Sequence, residues 1–504
     1  MSIKKARKMG FWAAISMLIG SVVGIGIFFK NGSISRITDQ NGATWLAAWI
    51  VGGILALGLA ISFSEIGTTK MESKTEGIAK WATFVGGKKM GYFSQFTYSF
   101  FYTGFFTFVL GFFASEATFQ GMVIAGWMKS DAIPIWGHAL FGLFITAFLI
   151  FVNVTSVKAS GIFQQITVVL KFIPLIAAII IGVGMATSHH YSDVRNPLHG
   201  SNGFTHGQFN PVLIIAALPA VLFAYDGFLN VATMQKKVKN GEKQIPKILF
   251  IGMLIVIIVN SLISLASILH TAPSVDIILK DVFGNPVAQK TLGIIVYMFI
   301  AISAWGVVNG YSAGYWAAIE QGIETNLFFG MRWMKEKLGI FKTTLIYAAG
   351  IITFWASILL IPSIILNTDS LIDSLSNWPT FFIFGLLATI ILIYTIKRKH
   401  LNTTKMHPIV FWTASVIAVA GIFGSLIFSL IYSTIYIDLI KNPNQTSSYG
   451  LFEPGEGVKN YIGSIMFFVQ LAIFITFPIF NKLLKKRFEK TKTIETTPKT
   501  NLKK

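Results

Sequence analysis

Apolar stretches of about 20 residues recur along the whole chain, each long enough to cross a bilayer as a helix. They fall at 11–29, 43–64, 91–114, 135–152, 155–183, 211–231, 247–269, 291–318, 342–362, 378–396, 408–435 and 461–480. Short polar segments separate them, the tightest at Asn153, and polar loops occupy His189–Asn210 and Asn442–Gly457. The pattern predicts an all-α integral membrane protein of twelve transmembrane helices. A mixed segment, Glu320–Lys337, combines charge with Phe328, Phe329 and Trp333. It predicts a helix lying on the membrane surface.

Two spans break the apolar pattern in their middle. Gly20–Phe29 reads GSVVGIGIFF and Leu222–Asn230 reads LFAYDGFLN. Hydrocarbon offers no water to bare peptide groups, so an interrupted span survives only where it is buried or lines a cavity. A matched pair of broken spans in two halves of a chain points to a transporter binding site. The breaks are five spans apart, which divides the chain into five, five and two helices, and an odd-numbered repeat inserts in opposite orientation the second time. The predicted units are a tail at 1–10, a first five-helix repeat at 11–184 and a loop at 185–210. A second repeat at 211–396, helices eleven and twelve with their loop at 397–480, and a basic tail at 481–504 complete the chain.

Composition sharpens this picture. The 504 residues are 54% hydrophobic and 12% charged, with mean hydropathy +0.66, well below the roughly one quarter charged expected of a soluble domain. The net charge of +20 could suggest nucleic acid, but its placement argues for topology. With the N-terminus inside, predicted inner segments hold 31 of the 41 Lys and Arg and outer ones 8, with Lys158 and Lys171 left within spans. Inner loops of membrane proteins are enriched in these residues. Both termini are therefore expected in the cytoplasm of a multi-pass protein of the cell membrane, among membrane lipids and without nucleic acid. The basic start before an apolar run superficially resembles a signal peptide, but no small-residue cleavage site follows, so 11–29 is read as an uncleaved first span. The chain has no cysteine, so disulfides and thiol chemistry are absent. His189, His190, His199 and His206 are read as scattered loop histidines in preference to a metal site.

The breaks carry the candidate chemistry. Gly20-x-x-x-Gly24 alone would be a helix-packing face, but Gly26 follows too soon for that reading. Gly24, Ile25 and Gly26 unwound at mid-membrane would present amides, backed by a half-helix dipole, to a carboxylate. Asp226, flanked by aromatics, either contacts substrate or caps the second half-helix, with Gly227 providing the bend. Lys158 lies about one turn inside span five and can snorkel, whereas Lys171, some 20 Å further on, cannot. Each lysine is either a proton-exchanging group, a fixed cation or a structural partner. Glu65 is read as a helix-end anchor. Tyr98, Phe101 and Tyr102 could line the pathway, but an aromatic lipid face is the commoner fate of such residues and is preferred here. No Walker loop, zinc-spacing set or nucleophile elbow appears, so no enzyme and no cofactor is expected.

These residues resemble those of the amino acid–polyamine–organocation superfamily, which includes L-type transporters and bacterial permeases. VGIGIF (Val23–Phe28) is similar to its GSGIF element, SEIGTT (Ser64–Thr69) to its ELGT element, and NVTSVKASG (Asn153–Gly161) to its fifth span. FAYDGF (Phe223–Phe228) with VKNGEKQIPK (Val238–Lys247) resembles its sixth span and following loop, and SAWGVVNG (Ser303–Gly310) its eighth. The resemblance implies a LeuT-like fold, a 5+5 inverted repeat plus two helices, and transport of amino acids or related amines. It places the substrate carboxylate on the amides of Gly24, Ile25 and Gly26, and the amine on carbonyls near Val22, Phe223 and Ala224. It makes Phe223 an aromatic gate, and it makes Lys158 the cation standing where sodium sits in relatives, hence a sodium-independent permease. Departures are Ile25 for serine, Leu229 for glutamate or asparagine, Ala317 for arginine and Gly241 for proline.

The expected function is secondary active transport of an amino acid by alternating access, as a proton-coupled symporter or an exchanger. The rival is a non-transporting amino acid sensor or scaffold of the same fold, supported by Ala317 and Leu229. A channel is disfavoured, because no repeated filter-like loop or acidic ring appears.

Overall fold

The computed structural model describes residues 10–130, 132–184, 203–204, 206–228, 238–270, 275–280, 285–367, 369–431 and 462–496. Within them the regular structure is helical, apart from one isolated bridge between Asn41 and Gly203. That outcome follows from the solvent, since a helix satisfies its own backbone groups where water cannot.

By length and hydropathy, ten helices among the described residues can cross a membrane, or eleven if one bent pair is a single span. That pair is the first span: α1 (Phe11–Val22) and α2 (Ile25–Ile37). It is bent by 56° between Ala14–Phe28 and Lys30–Ile37. It overruns the predicted end at Phe29, because its outlying polar residues find partners. Asn31 donates to Ser267 Oγ (2.8 Å) and accepts from Trp45 and Trp49 Nε1 (3.2 Å each). Next come α3 (Gly42–Ile66), then α4 (Ile78–Phe96), a π-helical turn at Thr97–Tyr102 and α5 (Thr103–Ala125), which together make one long span. Then follow α6 (Ile135–Thr155), α7 (Val157–Gly184) and α8 (Pro211–Ala224), an apolar helix of only 14 residues. The chain continues through α9 (Gly241–Leu269), α10 (Val275–Lys280), α11 (Pro286–Glu324) and α12 (Met331–Leu366). It ends with α13 (Ser370–Leu375), α14 (Asn377–Lys397), α15 (Pro408–Phe428) and α16 (Ile462–Thr496).

Helix starts follow sequence signals. Asn41 accepts from Thr44 N (2.9 Å), and Asn210 accepts from Val212 N (3.0 Å) with Pro211 in the first turn, the expected cap chemistry. The predicted surface helix is two pieces. Glu320–Glu324 continue α11, and Met331–Leu338 are set off from the rest of α12 at Gly339. α16 runs unbroken past residue 481, where a tail was expected.

Two groups of helices enclose the site. α1, α2, α3, α8 and α9 pack on one another, and α5, α6, α11 and α12 form a second group. α7 touches both α9 and α11, while α14 lies against α8, α4 and α15. Outward faces carry exposed apolar side chains such as Phe144, Ile180, Ile365 and Ile409, as lipid contact requires. At one end of the bundle the buried Glu65 accepts from Arg398 Nε (2.7 Å) and Nη2 (2.9 Å), Tyr394 Oη (2.7 Å) and Met406 N (2.9 Å). A carboxylate buried in this way is stable only with such bidentate and peptide partners.

Candidate functional site

The two interrupted spans meet. α1 stops at Val22, Val23 and Gly24 leave the helix, and α2 resumes at Ile25 with no side chain capping it. The first-turn amides of a helix have no acceptor within it. The peptides at Gly24, Ile25 and Gly26 therefore stand at a positive helix end inside the bundle. The second span leaves its helix at Ala224 and turns through Tyr225–Phe228. Leu229 and Asn230 lie outside the described residues.

Gly26 is where the breaks touch. A Cβ there would stand 2.5 Å from Ala224 Cα, so only glycine permits the approach. Ser21 Oγ adds a second tie, donating to Gly227 O (3.3 Å). Gly20 and Gly24 pack as well, against Val168 of α7 and Val307 of α11. Gly227 has φ +95°, which favours glycine. Gly227→Ala is expected to destabilise the protein by about 1–2 kcal/mol through left-handed strain, measured by thermal unfolding in detergent.

Asp226 is fully engaged. It accepts from Tyr102 Oη, from Thr380 Oγ1 (3.3 Å) and from Gly227 N (2.7 Å). Tyr102 Oη in turn lies 3.3 Å from Tyr311 Oη. The aspartate thus ties the second break to the π-turn and α14, and through Tyr102 to α11. Of the two readings of the third-span aromatics, the preferred lipid face fails for Tyr102 and Phe101, since both are buried. A π-turn often marks a functional site, and here it aims the Tyr98–Tyr102 stack at the break. Phe101 instead packs on Trp355 and Phe474. The signal was available as Tyr98 and Tyr102, four apart and so on one helix face. Phe223, 8% exposed, packs on Phe106, which touches Tyr311.

The two lysines separate clearly. Lys158 is exposed in the first turn of α7. Lys171 is 2% exposed, and its ammonium donates to the carbonyls of Gly20 and Val23. The cation at the first break is therefore Lys171, because only it sits deep enough on α7 to reach the unwound carbonyls. Of the predicted residues, Gly24, Gly26, Phe223, Ala224, Asp226 and Gly227 come together with the backbone of Val22 and Ile25, and Lys158 does not. Of the four loop histidines, His206 lies within the described residues, and its carbonyl accepts from Asn41 Nδ2 (2.6 Å).

Several known proteins are similar to this chain. The serine/threonine exchanger SteT of Bacillus subtilis (strain 168) is 26% identical over 448 residues, 85% of this chain and 92% of that protein. The b(0,+)-type amino acid transporter 1 of Mus musculus is 24% identical over 314 residues, 61% of each chain. The human cystine/glutamate transporter is 24% identical over 315 residues, covering 61% of this chain and 59% of its own. Residues 9–451 match the family described as amino acid permease, and with that match spanning most of the molecule, this multi-pass membrane protein belongs to the amino acid permease family.

Proposed function

We propose that this chain is a sodium-independent carrier of neutral amino acids, working by alternating access as an exchanger or proton-coupled symporter. It sits in the cell membrane as twelve spans in a five-plus-five inverted repeat with two further helices, both termini inside. The observation that carries the reading is the meeting of two broken helices at Gly26 and Ala224, beside uncapped amides at the start of α2. A substrate carboxylate fits the amides of Gly24–Gly26, and the ammonium fits carbonyls around Val22, Phe223 and Ala224.

The side-chain class follows from Asp226. Its carboxylate already accepts from Tyr102, Thr380 and its neighbour's amide. A lysine or arginine side chain would have to compete with those three donors for the carboxylate, which a neutral side chain does not. Lys171 takes the fixed-cation role expected of Lys158, since it holds two carbonyls of the unwound segment. A standing ammonium there leaves a sodium ion no place.

A thermal-shift panel of the twenty amino acids on purified protein tests the substrate. Small and medium neutral amino acids should stabilise it while lysine, arginine and aspartate do not. Radiolabelled uptake into proteoliposomes should persist when sodium is replaced by choline. Tight binding without flux would instead favour the sensor.

A further inference from the structure

Both broken spans, α1 with α2 and α8, belong to one group of helices. A zwitterion held by their backbone groups must send its side chain toward the other group, where α11 stands opposite. Val307 Cγ2 of α11 lies 2.7 Å from where a Cβ on Gly24 would be, at the first break. Tyr311 follows four residues later, on the same helix face, and reaches the second break through Tyr102 and Asp226. Phe106 of α5 touches both the Tyr311 ring (6.0 Å between centroids) and the Phe223 ring (5.6 Å). Val307, Phe106 and Phe223 are buried and make this wall apolar, whereas Tyr311, in the middle of α11, is only half-buried.

The hydrogens of this cluster run in one direction. A hydroxyl owns a single hydrogen, and an ionised carboxylate can only accept. Tyr102 commits its hydrogen to Asp226. At the 3.3 Å contact between Tyr102 Oη and Tyr311 Oη, Tyr311 must therefore be the donor. Thr380 likewise turns its hydrogen toward Asp226. Among the described residues Tyr311 Oη has no other hydrogen bond. What it shows the space between the breaks is acceptor lone pairs alone. Such an oxygen, set in an apolar wall, favours a partner that brings a hydrogen and opposes one that brings only lone pairs. For packing against Phe106 a phenylalanine would serve as well, so packing does not account for the hydroxyl.

We infer that Tyr311 sets the side-chain preference of the carrier, accepting a hydrogen bond from a short hydroxylated side chain such as that of serine or threonine. An amide side chain also brings hydrogens, but its carbonyl would be left against the rings of Phe106 and Phe223 without a donor. A hydroxyl brings no second polar group, and the methyl of threonine suits the apolar wall. This rests on the two-break site of the proposed carrier, and it narrows the neutral substrates to one chemical class and names the residue that selects them.

Titration calorimetry on the purified protein with two matched pairs tests this. Threonine and valine differ by a hydroxyl in place of a methyl, O-methylserine and norvaline by an ether oxygen in place of a methylene. Threonine should bind about tenfold more tightly than valine, the worth of one buried hydrogen bond. O-methylserine, with no hydrogen to give, should gain nothing over norvaline. In Y311F threonine should weaken about tenfold, to the level of valine, while valine is unchanged because the ring is kept. Equal affinity for threonine and valine in the parent would overturn the assignment, with or without the variant. So would a Y311F protein that loses both alike, as a merely structural tyrosine predicts, or one that keeps the preference. A comparable gain for O-methylserine would overturn the direction of the hydrogen bonds on which the assignment stands. Binding of none of the twenty amino acids would defeat the two-break site itself, whereas tight but undiscriminating binding defeats only the role of Tyr311.

Discussion

Gly26→Ala will weaken substrate binding by at least about a hundredfold, equivalent to about 2.7 kcal/mol. The added methyl would lie 2.5 Å from Ala224 Cα and 2.8 Å from Ala224 Cβ. A Cα belongs to the backbone and cannot rotate aside, so the two breaks must separate. The amides of Gly24–Gly26 would then move away from the carbonyls of Phe223 and Ala224, which one zwitterion must span. Binding geometry of this kind is lost by shifts of about 1 Å. Gly20→Ala is the matched control. Its methyl would meet Val168 Cγ2, also at 2.5 Å, but that is the end of a half-buried side chain. There the expected change in affinity is under about threefold, because a rotamer shift relieves the contact. Scintillation proximity or calorimetric titration on both variants, each checked for a monodisperse peak, makes the comparison. Equal affinities in G26A and the parent would remove the site from the break.

The helical, membrane-spanning character of the apolar runs was legible because hydrocarbon leaves a helix as the only economical fate for an apolar run. The break at Gly24 was legible as well, since Gly26 follows too soon after Gly24 to belong to the packing face of Gly20 and Gly24. What could not be read was which distant groups converge. Asp226 was visible as a charge in an apolar run, but Tyr102, Thr380 and Tyr311 come from three other elements. Tyr102 and Thr380 donate to the aspartate and Tyr311 backs Tyr102, which turns a free anion into a structural tie. Lys30 was counted as a loop charge because the first span was taken to end at Phe29. Its helix continues to Ile37, and the lysine lies inside it. A charge next to a predicted boundary reads equally well as loop or as span, and only its partners decide. The lysines of α7 make the same point. Depth showed only that Lys171 could not snorkel, the resemblance pointed to Lys158, and it is Lys171 that donates to the carbonyls of Gly20 and Val23.

Lys171→Met will abolish uptake and lower stability by about 2–6 kcal/mol, whereas Lys158→Met will do neither. The ammonium of Lys171 satisfies two carbonyls that the interrupted helix leaves open. A buried acceptor that loses its donor costs about 1–3 kcal/mol, and two are exposed together here. Methionine matches the lysine stem in length and polarisability, so packing is conserved and the loss isolates the hydrogen bonds and the charge. With the carbonyls of Gly20 and Val23 unpaired, the break at Val23–Gly24 is free to rewind toward a continuous helix. That removes the peptide amides on which substrate binding depends. Lys158 is exposed at the start of the same helix, and surface replacements of this kind stay within about 0.5 kcal/mol. Proteoliposome uptake and thermal unfolding of both variants, with sodium present and absent, read the two effects separately. Uptake by K171M at the parental rate, or equal losses in both variants, would show that the break is held by something other than this ammonium. Sodium-dependent recovery of K171M would show instead that the position still accepts a cation once the lysine is gone.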